Sequence, residues 1–304
     1  MNNKKICNFL QDGYIRRYVL SEGNESGLKV IELDNGCIRL LLNESKGLDV
    51  MQLWHKGTNI SFVSKNGFTT REIPFLNRFE GGMLYTCGLD SMGRQEGYEL
   101  HGSYHSTPAK ILQTNICEEY LQIVAEMQYS SLFGPYLVMK RTVTLYKGDN
   151  GYFEMKDELN NRGTKDEDYC LLYHINLGYP MLDSGVEIKG DFGKILPRSK
   201  HAEEWIDRRA TFLEPIDNEE ESCYALENLG DEITVINKKI GKKFLLSYSK
   251  DTLPYLIQWN SLASYDYALG LEPSTSILGE DLKYSKLNAG EKVNFTVKIR
   301  VEEV

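Results

Sequence analysis

The strongest constraint on the fold is the alternation of apolar and polar residues in the final segment, KVNFTVKIRVEEV. Val293, Phe295, Val297, Ile299 and Val301 occupy every second position. Because neighbouring side chains of a β-strand point to opposite faces, this period predicts a strand with one buried face. A helix would instead bury residues three and four positions apart. The segment is therefore predicted to be a half-buried strand.

Comparable short runs, separated by turn residues, fill most of the chain. The segment LKVIELDNGCIRLLL has two apolar runs around Asp34, Asn35 and Gly36, which favour a hairpin turn. YLQIVAEMQY, YLVMKRTVTLY and GYFEMKDELNNRG also have strand character. Only NFLQDGYIRRYVL and KHAEEWIDRR suggest short helices, and no strand–helix–strand rhythm is present. The pattern predicts an all-β fold of antiparallel sheets.

One domain is predicted over residues 1–304, because no linker or internal repeat divides the chain. The hydrophobic fraction of 41% is sufficient for a substantial core. The first 25 residues or so are expected to form a peripheral extension of that domain.

Charge and cysteine usage limit the classes of partner and the compartment. The net charge is -9 and no basic run is present, which argues against nucleic-acid binding. No apolar stretch reaches the length of a membrane span or a secretory signal. The six cysteines are scattered without a C-x-x-C pair, so neither structural zinc nor a disulfide framework is expected. We therefore expect a cytoplasmic protein with no membrane or nucleic-acid partner.

Two of the five histidines lie close together in YELHGSYHSTPAK. His101 and His105 are four residues apart, a spacing that suits two metal ligands on one helix face. Gly102 and Pro108 disfavour a helix here, and no cysteine or carboxylate completes a ligand set. A metal site remains the weaker alternative, and no metal is predicted.

Two further residues combine titratable side chains with apolar surroundings. His174 in LLYHINLGYP follows an apolar run, so it is either a hydrogen-bonded core histidine or a group that transfers protons near neutral pH. Glu272 lies between Leu271 and Pro273. Desolvation there would raise its pKa and suit it to act as a general base, unless the side chain points outward.

Three stretches occur in the order LHGSYH, YHINLGYP and GLEPST, and together they resemble the motifs of the aldose 1-epimerase (galactose mutarotase-like) superfamily. GGMLYTCGLDSMG and TPAK resemble its DUF4432 branch in particular. The resemblance covers roughly residues 30–300. It implies a galactose mutarotase-like β-supersandwich with the site in a groove of the larger sheet. It also implies a sugar or sugar derivative as the small-molecule partner, and no cofactor.

The resemblance also implies roles for individual residues. Glu272 would remove the proton from the C1 hydroxyl, His174 would protonate the ring oxygen, and His101 would hold and polarise the ring. The residues expected to bind substrate are Arg78 (with Arg71 as the alternative arginine), Asn176, Gln258, Trp259, and Glu221 in place of the family's aspartate. The first motif departs from the family pattern, since it reads H-G-S rather than H-G-G.

The predicted function is an aldose 1-epimerase-like isomerase that interconverts sugar anomers. The alternatives are a non-catalytic carbohydrate-binding protein, or a different sugar epimerase or lyase on the same fold. A homodimer is one option for assembly.

Overall fold

β-strands form nearly all of the regular structure, as the alternation predicts. The computed structural model describes residues 5–148 and 151–304. The strands are β1 (Tyr14–Val19), β2 (Lys29–Asp34), β3 (Ile38–Asn43), β4 (Asp49–His55), β5 (Thr58–Asn59), β6 (Phe62–Val63), β7 (Gly81–Gly82), β8 (Leu84–Leu89), β9 (Lys110–Ile116), β10 (Tyr120–Ser130), β11 (Tyr136–Tyr146), β12 (Tyr152–Asn161), β13 (Glu167–Leu177), β14 (Glu187–Lys189), β15 (Phe192–Pro197), β16 (Ser222–Asn228), β17 (Ile233–Asn237), β18 (Lys242–Tyr248), β19 (Tyr255–Ser261), β20 (Ala268–Ser274), β21 (Ser285–Leu287) and β22 (Lys292–Glu303). The α-helices in this part of the chain are α1 (Phe75–Arg78) and α2 (Lys200–Glu204).

Two large antiparallel sheets organise these strands. The 12-stranded sheet has the order β1-β2-β3-β4-β8-β13-β20-β19-β16-β15, with β5 beside β4 and β21 beside β13. The 8-stranded sheet has the order β14-β17-β18-β22-β12-β11-β10-β9. One hydrophobic cluster takes side chains from both sheets. The sandwich prediction is confirmed.

A second, smaller hydrophobic cluster lies on the other face of the larger sheet. On β13, Leu171, Tyr173 and Ile175 belong to the main core, whereas Cys170 and Leu172 belong to the smaller cluster. The period of two therefore assigns the even-numbered residues of β13, His174 among them, to the face turned away from the 8-stranded sheet.

Four ionisable residues form what we call the interior ion cluster: Asp49, His105, Arg141 and Asp157, all fully or nearly fully buried. Arg141 lies 2.6 Å from Asp49 and 2.7 Å from Asp157 in its shortest contacts with these carboxylates. It also donates to the Gly47 carbonyl (2.8 Å) and the Thr86 hydroxyl (2.9 Å). The cluster joins β11 and β12 of one sheet to β4 and β8 of the other.

The sequence-based segment assignments agree with the structure except near the N-terminus. The Asp34-Asn35-Gly36 turn joins β2 to β3, and the final segment forms β22. The proposed helix in NFLQDGYIRRYVL is wrong, since this segment forms only a short 3-10 turn (Phe9–Gln11) followed by β1. Because β1 pairs with β2 along its whole length, this part of the expected extension is an edge strand of the larger sheet. No helix in the described ranges is long and apolar enough to cross a bilayer.

Candidate functional site

A cavity of about 620 Å³ opens on the outer face of the larger sheet. Its floor is formed by β13, β16, β19 and β20, and its walls by α1 and the loops around residues 93–101 and 278–279. Its lining includes Phe75, Phe79, Arg94, His101, His174, Arg198, Glu221, Trp259 and Glu272. The larger sheet thus provides an accessible site built on rigid strands.

His174 and Glu272 face each other across two neighbouring strands. Ile175 pairs with Leu271 and Leu172 with Ser274, so His174 and Glu272 occupy opposite positions of the antiparallel pair β13 and β20. Nε2 of His174 lies 3.3 Å from a carboxylate oxygen of Glu272. Cross-strand geometry alone therefore brings together two residues 98 positions apart in the chain (272 − 174).

The hydrogen bonds of Asn176 determine which nitrogen of His174 carries a proton. The Asn176 amide donates to the carbonyls of Gly82 (3.2 Å) and His174 (3.0 Å), which fixes its Oδ1 as an acceptor. This oxygen lies 2.6 Å from Nδ1 of His174. Nδ1 must therefore carry a hydrogen, and a neutral His174 presents the lone pair of Nε2 to Glu272.

Glu272 is only 1% exposed, and its Oε1 has no hydrogen-bond donor among the described residues. Burial raises its pKa well above the usual value, and the charge of Glu221 adds to this effect. Gly270, two residues earlier on the same face, provides the space that the carboxyl group occupies. A Cβ at this position would lie 2.5 Å from Oε1 of Glu272 and 3.1 Å from Trp259.

Together these contacts define a pair that shares one proton. Burial, followed by the neighbouring His101, lowers the pKa of His174 to about 3. Both groups are therefore driven towards their neutral forms, with the proton on Glu272 and the lone pair on Nε2. Transfer of that proton over 3.3 Å would give a carboxylate and an imidazolium, so the pair can act as base and acid together.

His101 reaches the same cavity from the turn between β8 and β9. Its φ is 65°, in the left-handed region, and backbone hydrogen bonds to Gly88 (3.0 Å) and Gly93 (3.1 Å) hold the turn. The following residue must be glycine, because a Cβ on Gly102 would lie 2.3 Å from the Ser91 carbonyl. This close approach explains the H-G dipeptide in physical terms.

The protonation state of His101 is complementary to that of His174. The Gly93 N–H donates to Nδ1 of His101 (3.3 Å), which leaves Nε2 to carry the hydrogen of the neutral ring. Burial lowers the pKa of His101 to about 4. The two imidazole rings are 5.5 Å apart. The cavity therefore contains one neutral imidazole with a donor Nε2 and another with an acceptor Nε2.

Aromatic rings surround the two histidines. Phe75 lies 5.1 Å from the ring of His101, and Phe79 lies 5.4 Å from that of His174. Trp259 contacts His174 at 5.3 Å, and its indole N–H donates to Glu221 (2.7 Å). Of the predicted binding residues, Trp259 and Glu221 thus line the cavity.

Three predicted binding residues lie outside the lining. Arg78 is buried and forms an ion pair with Glu99 (2.7 Å), so its guanidinium supports α1 and the neighbouring loop. Asn176 is fully buried and accepts a hydrogen bond from His174, which orients the imidazole. Gln258 points to the opposite face from Trp259, because it is the neighbouring residue on β19, and it binds Arg209 (2.7 Å).

The two histidines of the H-x-x-x-H spacing have different surroundings. His105 belongs to the interior ion cluster, with Nδ1 2.8 Å from Asp49 and Nε2 3.4 Å from Glu80. His101 faces the cavity. Within residues 5–148 and 151–304 no group of three or more histidine, cysteine or acidic side chains is arranged to hold a metal ion.

Sequence reasoning missed several residues of the cavity. Arg94 and Arg198 carry no motif and lie in loops whose positions depend on the tertiary fold. Gly270 did leave a signal, since a glycine two positions before a carboxylate in an apolar strand marks space on the same face.

Comparison with known proteins identifies the family to which the chain belongs. The model of the domain of unknown function DUF4432 matches residues 25–301. No curated protein gives a significant match.

Solved structures reproduce the whole architecture at low identity. A protein from Klebsiella pneumoniae provisionally assigned as an aldose 1-epimerase superposes with a TM-score of 0.87 at 20% identity, covering 95% of this chain and 83% of that one. A galactose mutarotase-like protein from Clostridium acetobutylicum gives 0.71 at 16%, covering 97% and 100%. A galactose mutarotase-like protein from Lactobacillus casei gives 0.62 at 13%, covering 90% and 100%. The chain therefore belongs to the DUF4432 family and has the fold of galactose mutarotase-like proteins.

Proposed function

We propose that this protein is an aldose 1-epimerase, an isomerase that interconverts the anomers of a sugar in the cavity above β13 and β20. The observation that carries the proposal is the buried carboxyl group of Glu272, whose Oε1 has no donor among the described residues and lies 3.3 Å from Nε2 of His174 in an accessible cavity. A buried carboxyl group without a donor is costly, so a protein gains from it only if a ligand completes its hydrogen bonds.

Ring opening starts from the ionised form of the pair. Glu272 as carboxylate takes the proton of the C1 hydroxyl, while His174 as imidazolium gives its Nε2 proton to the ring oxygen. The bond between C1 and the ring oxygen breaks, and an open-chain aldehyde forms. Rotation about the C1–C2 bond and reversal of both transfers give the other anomer, so protons and charge balance over the cycle.

The open-chain stage restores the proton distribution that burial favours. At that stage Glu272 is a neutral acid and His174 is a neutral imidazole, the two forms that burial favours. His101 supplies an Nε2–H that can donate to an oxygen of the sugar, and its neutral ring does not compete for the transferred proton. The aromatic walls make this part of the cavity apolar, which strengthens these hydrogen bonds.

The test measures anomer exchange by NMR saturation transfer on a panel of aldoses. Glu272→Gln keeps the shape of the side chain and removes the base, so exchange should fall by at least about 100-fold while sugar binding persists. His174→Asn should lower exchange similarly. His201→Asn, on α2 outside the cavity, is the matched histidine control.

Exchange at the wild-type rate in Glu272→Gln would exclude the epimerase and leave the non-catalytic sugar-binding protein. New sugar resonances other than the two anomers would instead favour a different epimerase or a lyase.

A further inference from the structure

The turn that carries His101 is held by a short segment, residues 90–93, which directly follows β8. The Gly93 N–H donates to Nδ1 of His101 (3.3 Å), and the Gly93 carbonyl accepts from the His101 N–H (3.1 Å). At the other end of the segment, Asp90 accepts two hydrogen bonds from Ser103, one from the backbone N–H (2.9 Å) and one from the hydroxyl (2.8 Å). The segment therefore binds the turn on both sides of His101.

The contact between Asp90 and Ser103 uses both oxygens of the carboxylate, since the N–H bonds to Oδ1 and the hydroxyl to Oδ2. The hydroxyl of Tyr129, on β10 of the smaller sheet, lies 3.2 Å from that of Ser103. Because Ser103 gives its one hydroxyl hydrogen to Asp90, Tyr129 is the donor in this contact. Burial, above all, raises the pKa of Tyr129 to about 12, so the phenol keeps the proton that it donates. The hydrogen bonds thus connect the smaller sheet to the His101 turn.

The backbone of the turn needs this support. His101 has a φ of 65°, which a residue with a Cβ rarely adopts, and Gly102 has a φ of 76°. Such a conformation persists only where the surrounding contacts determine it. A Cβ on Gly102 would lie 2.6 Å from Oδ1 of Asp90, so the carboxylate packs directly against the turn. Its two hydrogen bonds therefore oppose relaxation of the backbone at His101.

Ser103 is the residue at which LHGSYH departs from the H-G-G pattern. A glycine here would keep the N–H contact with Asp90 and lose the hydroxyl contact. The serine adds a second hydrogen bond to the same carboxylate and connects it to Tyr129. The departure therefore strengthens the attachment of the turn.

We infer that Asp90 is a positioning residue, which acts through Ser103 to hold His101 where its Nε2–H can donate to the substrate. The catalytic part of this inference rests on the proposed epimerase activity. Asp90 lies outside the lining of the cavity, so its effect on the substrate passes through His101. A displacement of about 1 Å in a positioned group can lower a rate by about 100-fold.

The first experiment measures anomer exchange at saturating sugar by NMR, with an aldose that the wild type accepts. Asp90→Ala removes both hydrogen bonds to the turn and should lower the rate by about 10- to 100-fold. Ser103→Ala keeps the N–H contact and should lower it by about 3- to 10-fold, which provides a milder form of the same test. Asp168→Ala, an exposed carboxylate on β13 that lines a second cavity together with Asp90 and Tyr129, is the matched control and should leave the rate unchanged.

A double-mutant cycle with His101→Gln separates positioning of His101 from any other effect of Asp90. If Asp90 acts through His101, Asp90→Ala should lower exchange by less than about twofold once His101 has been replaced. A loss in the double variant as large as that in the wild-type background would overturn the inference.

The titration of the His101 ring, followed by NMR, reports on the turn without any substrate. Burial lowers the pKa of this ring to about 4. In Asp90→Ala the released turn should expose the ring, and the pKa should rise above about 5, towards the value of a solvated histidine. Loss of the Asp90 charge would by itself lower this pKa, so a rise reports exposure of the ring. Asp168→Ala should leave the titration unchanged.

This titration also distinguishes failure of the inference from failure of the proposed function. A pKa of His101 that is the same in Asp90→Ala as in the wild type would reject the positioning role, whatever the rate of exchange. A raised pKa in a protein that exchanges no anomers would retain Asp90 as the residue that holds the turn and reject the epimerase.

Discussion

The interior ion cluster and the cavity pair of His174 and Glu272 are both buried, and both are built on β8 and β13 or their neighbours. They differ in the hydrogen-bond partners of their ionisable groups. In the cluster, Arg141 uses its donors on Asp49, Asp157, Gly47 and Thr86. In the cavity, no described residue donates a hydrogen bond to the carboxyl oxygen of Glu272 nearest His174.

The pKa directions follow this difference in partners. Burial alone would raise the pKa of Asp49, but the hydrogen bond from His105 and the charge of Arg141 lower it. Burial raises the pKa of Glu272, and the charge of Glu221 raises it further. A buried group with charged and hydrogen-bonding partners keeps its charge. A buried carboxyl group without such partners has a raised pKa and can exchange a proton with its neighbour.

The largest expected effect comes from breaking the cluster. Arg141→Met leaves Asp49 and Asp157 buried without their cation, and the free energy of unfolding should fall by about 3–5 kcal/mol. Chemical denaturation measures this change. Arg162→Met is the matched control, because Arg162 forms an exposed ion pair with Glu126 (2.7 Å) and should cost less than about 1 kcal/mol. A loss from Arg141→Met as small as that of the control would remove the distinction between the two regions.

A smaller effect concerns the pH dependence of stability. The pKa of His101 is lowered by burial from 6.5 to about 4, so below pH 6.5 the unfolded chain binds a proton that the folded protein does not. The free energy of unfolding therefore falls as the pH falls, by about 2 kcal/mol from this residue between pH 7 and pH 5.

Denaturation of the wild type and of His101→Gln at both pH values tests this expectation. The variant should lose about 2 kcal/mol less stability than the wild type between the two values. His105 should behave in the opposite way. Burial would lower its pKa, but the charge of Glu80 and the hydrogen bond to Asp49 raise it, so its contribution is lost as the pH rises. Equal slopes for the wild type and His101→Gln would contradict the lowered pKa.

The smallest effect has the opposite sign from the first. Glu272→Met replaces a buried carboxyl group, to which no described residue donates, with an apolar side chain of similar length. The free energy of unfolding should rise by about 1 kcal/mol, because a desolvated polar group is removed. Denaturation of Glu272→Met beside Glu158→Met, on an exposed ion pair with Lys292 (2.8 Å), measures the difference. Destabilisation by more than about 1 kcal/mol would mean that Glu272 also has a structural partner.

The sequence was most informative where a short local pattern determines the local structure. Alternation predicted β22, and a turn dipeptide predicted the hairpin between β2 and β3. The same reasoning singled out His174 and Glu272, because a titratable group inside an apolar strand is conspicuous.

The remaining features depend on contacts that no local pattern encodes. Arg78 ends the short helix α1 and Arg94 lies in a loop, and only the packed fold shows that the first pairs with Glu99 while the second lines the cavity. NFLQDGYIRRYVL has a helical pattern, but its second half forms β1, which pairs with the edge of β2. Tertiary hydrogen bonding outweighs local propensity there.

Tyr173 and His174 are adjacent on β13, so their side chains point to opposite faces of the larger sheet. The register of this strand therefore decides which of the two side chains faces the cavity. Tyr173 donates to Asp157 in the interior ion cluster (2.6 Å), and the next residue faces Glu272. A slip of one residue would turn the imidazole towards Arg141 and the phenol into the cavity. The cluster thus ties the alignment of β13 to the interior, because the register that places the Tyr173 hydroxyl on Asp157 also places His174 beside Glu272.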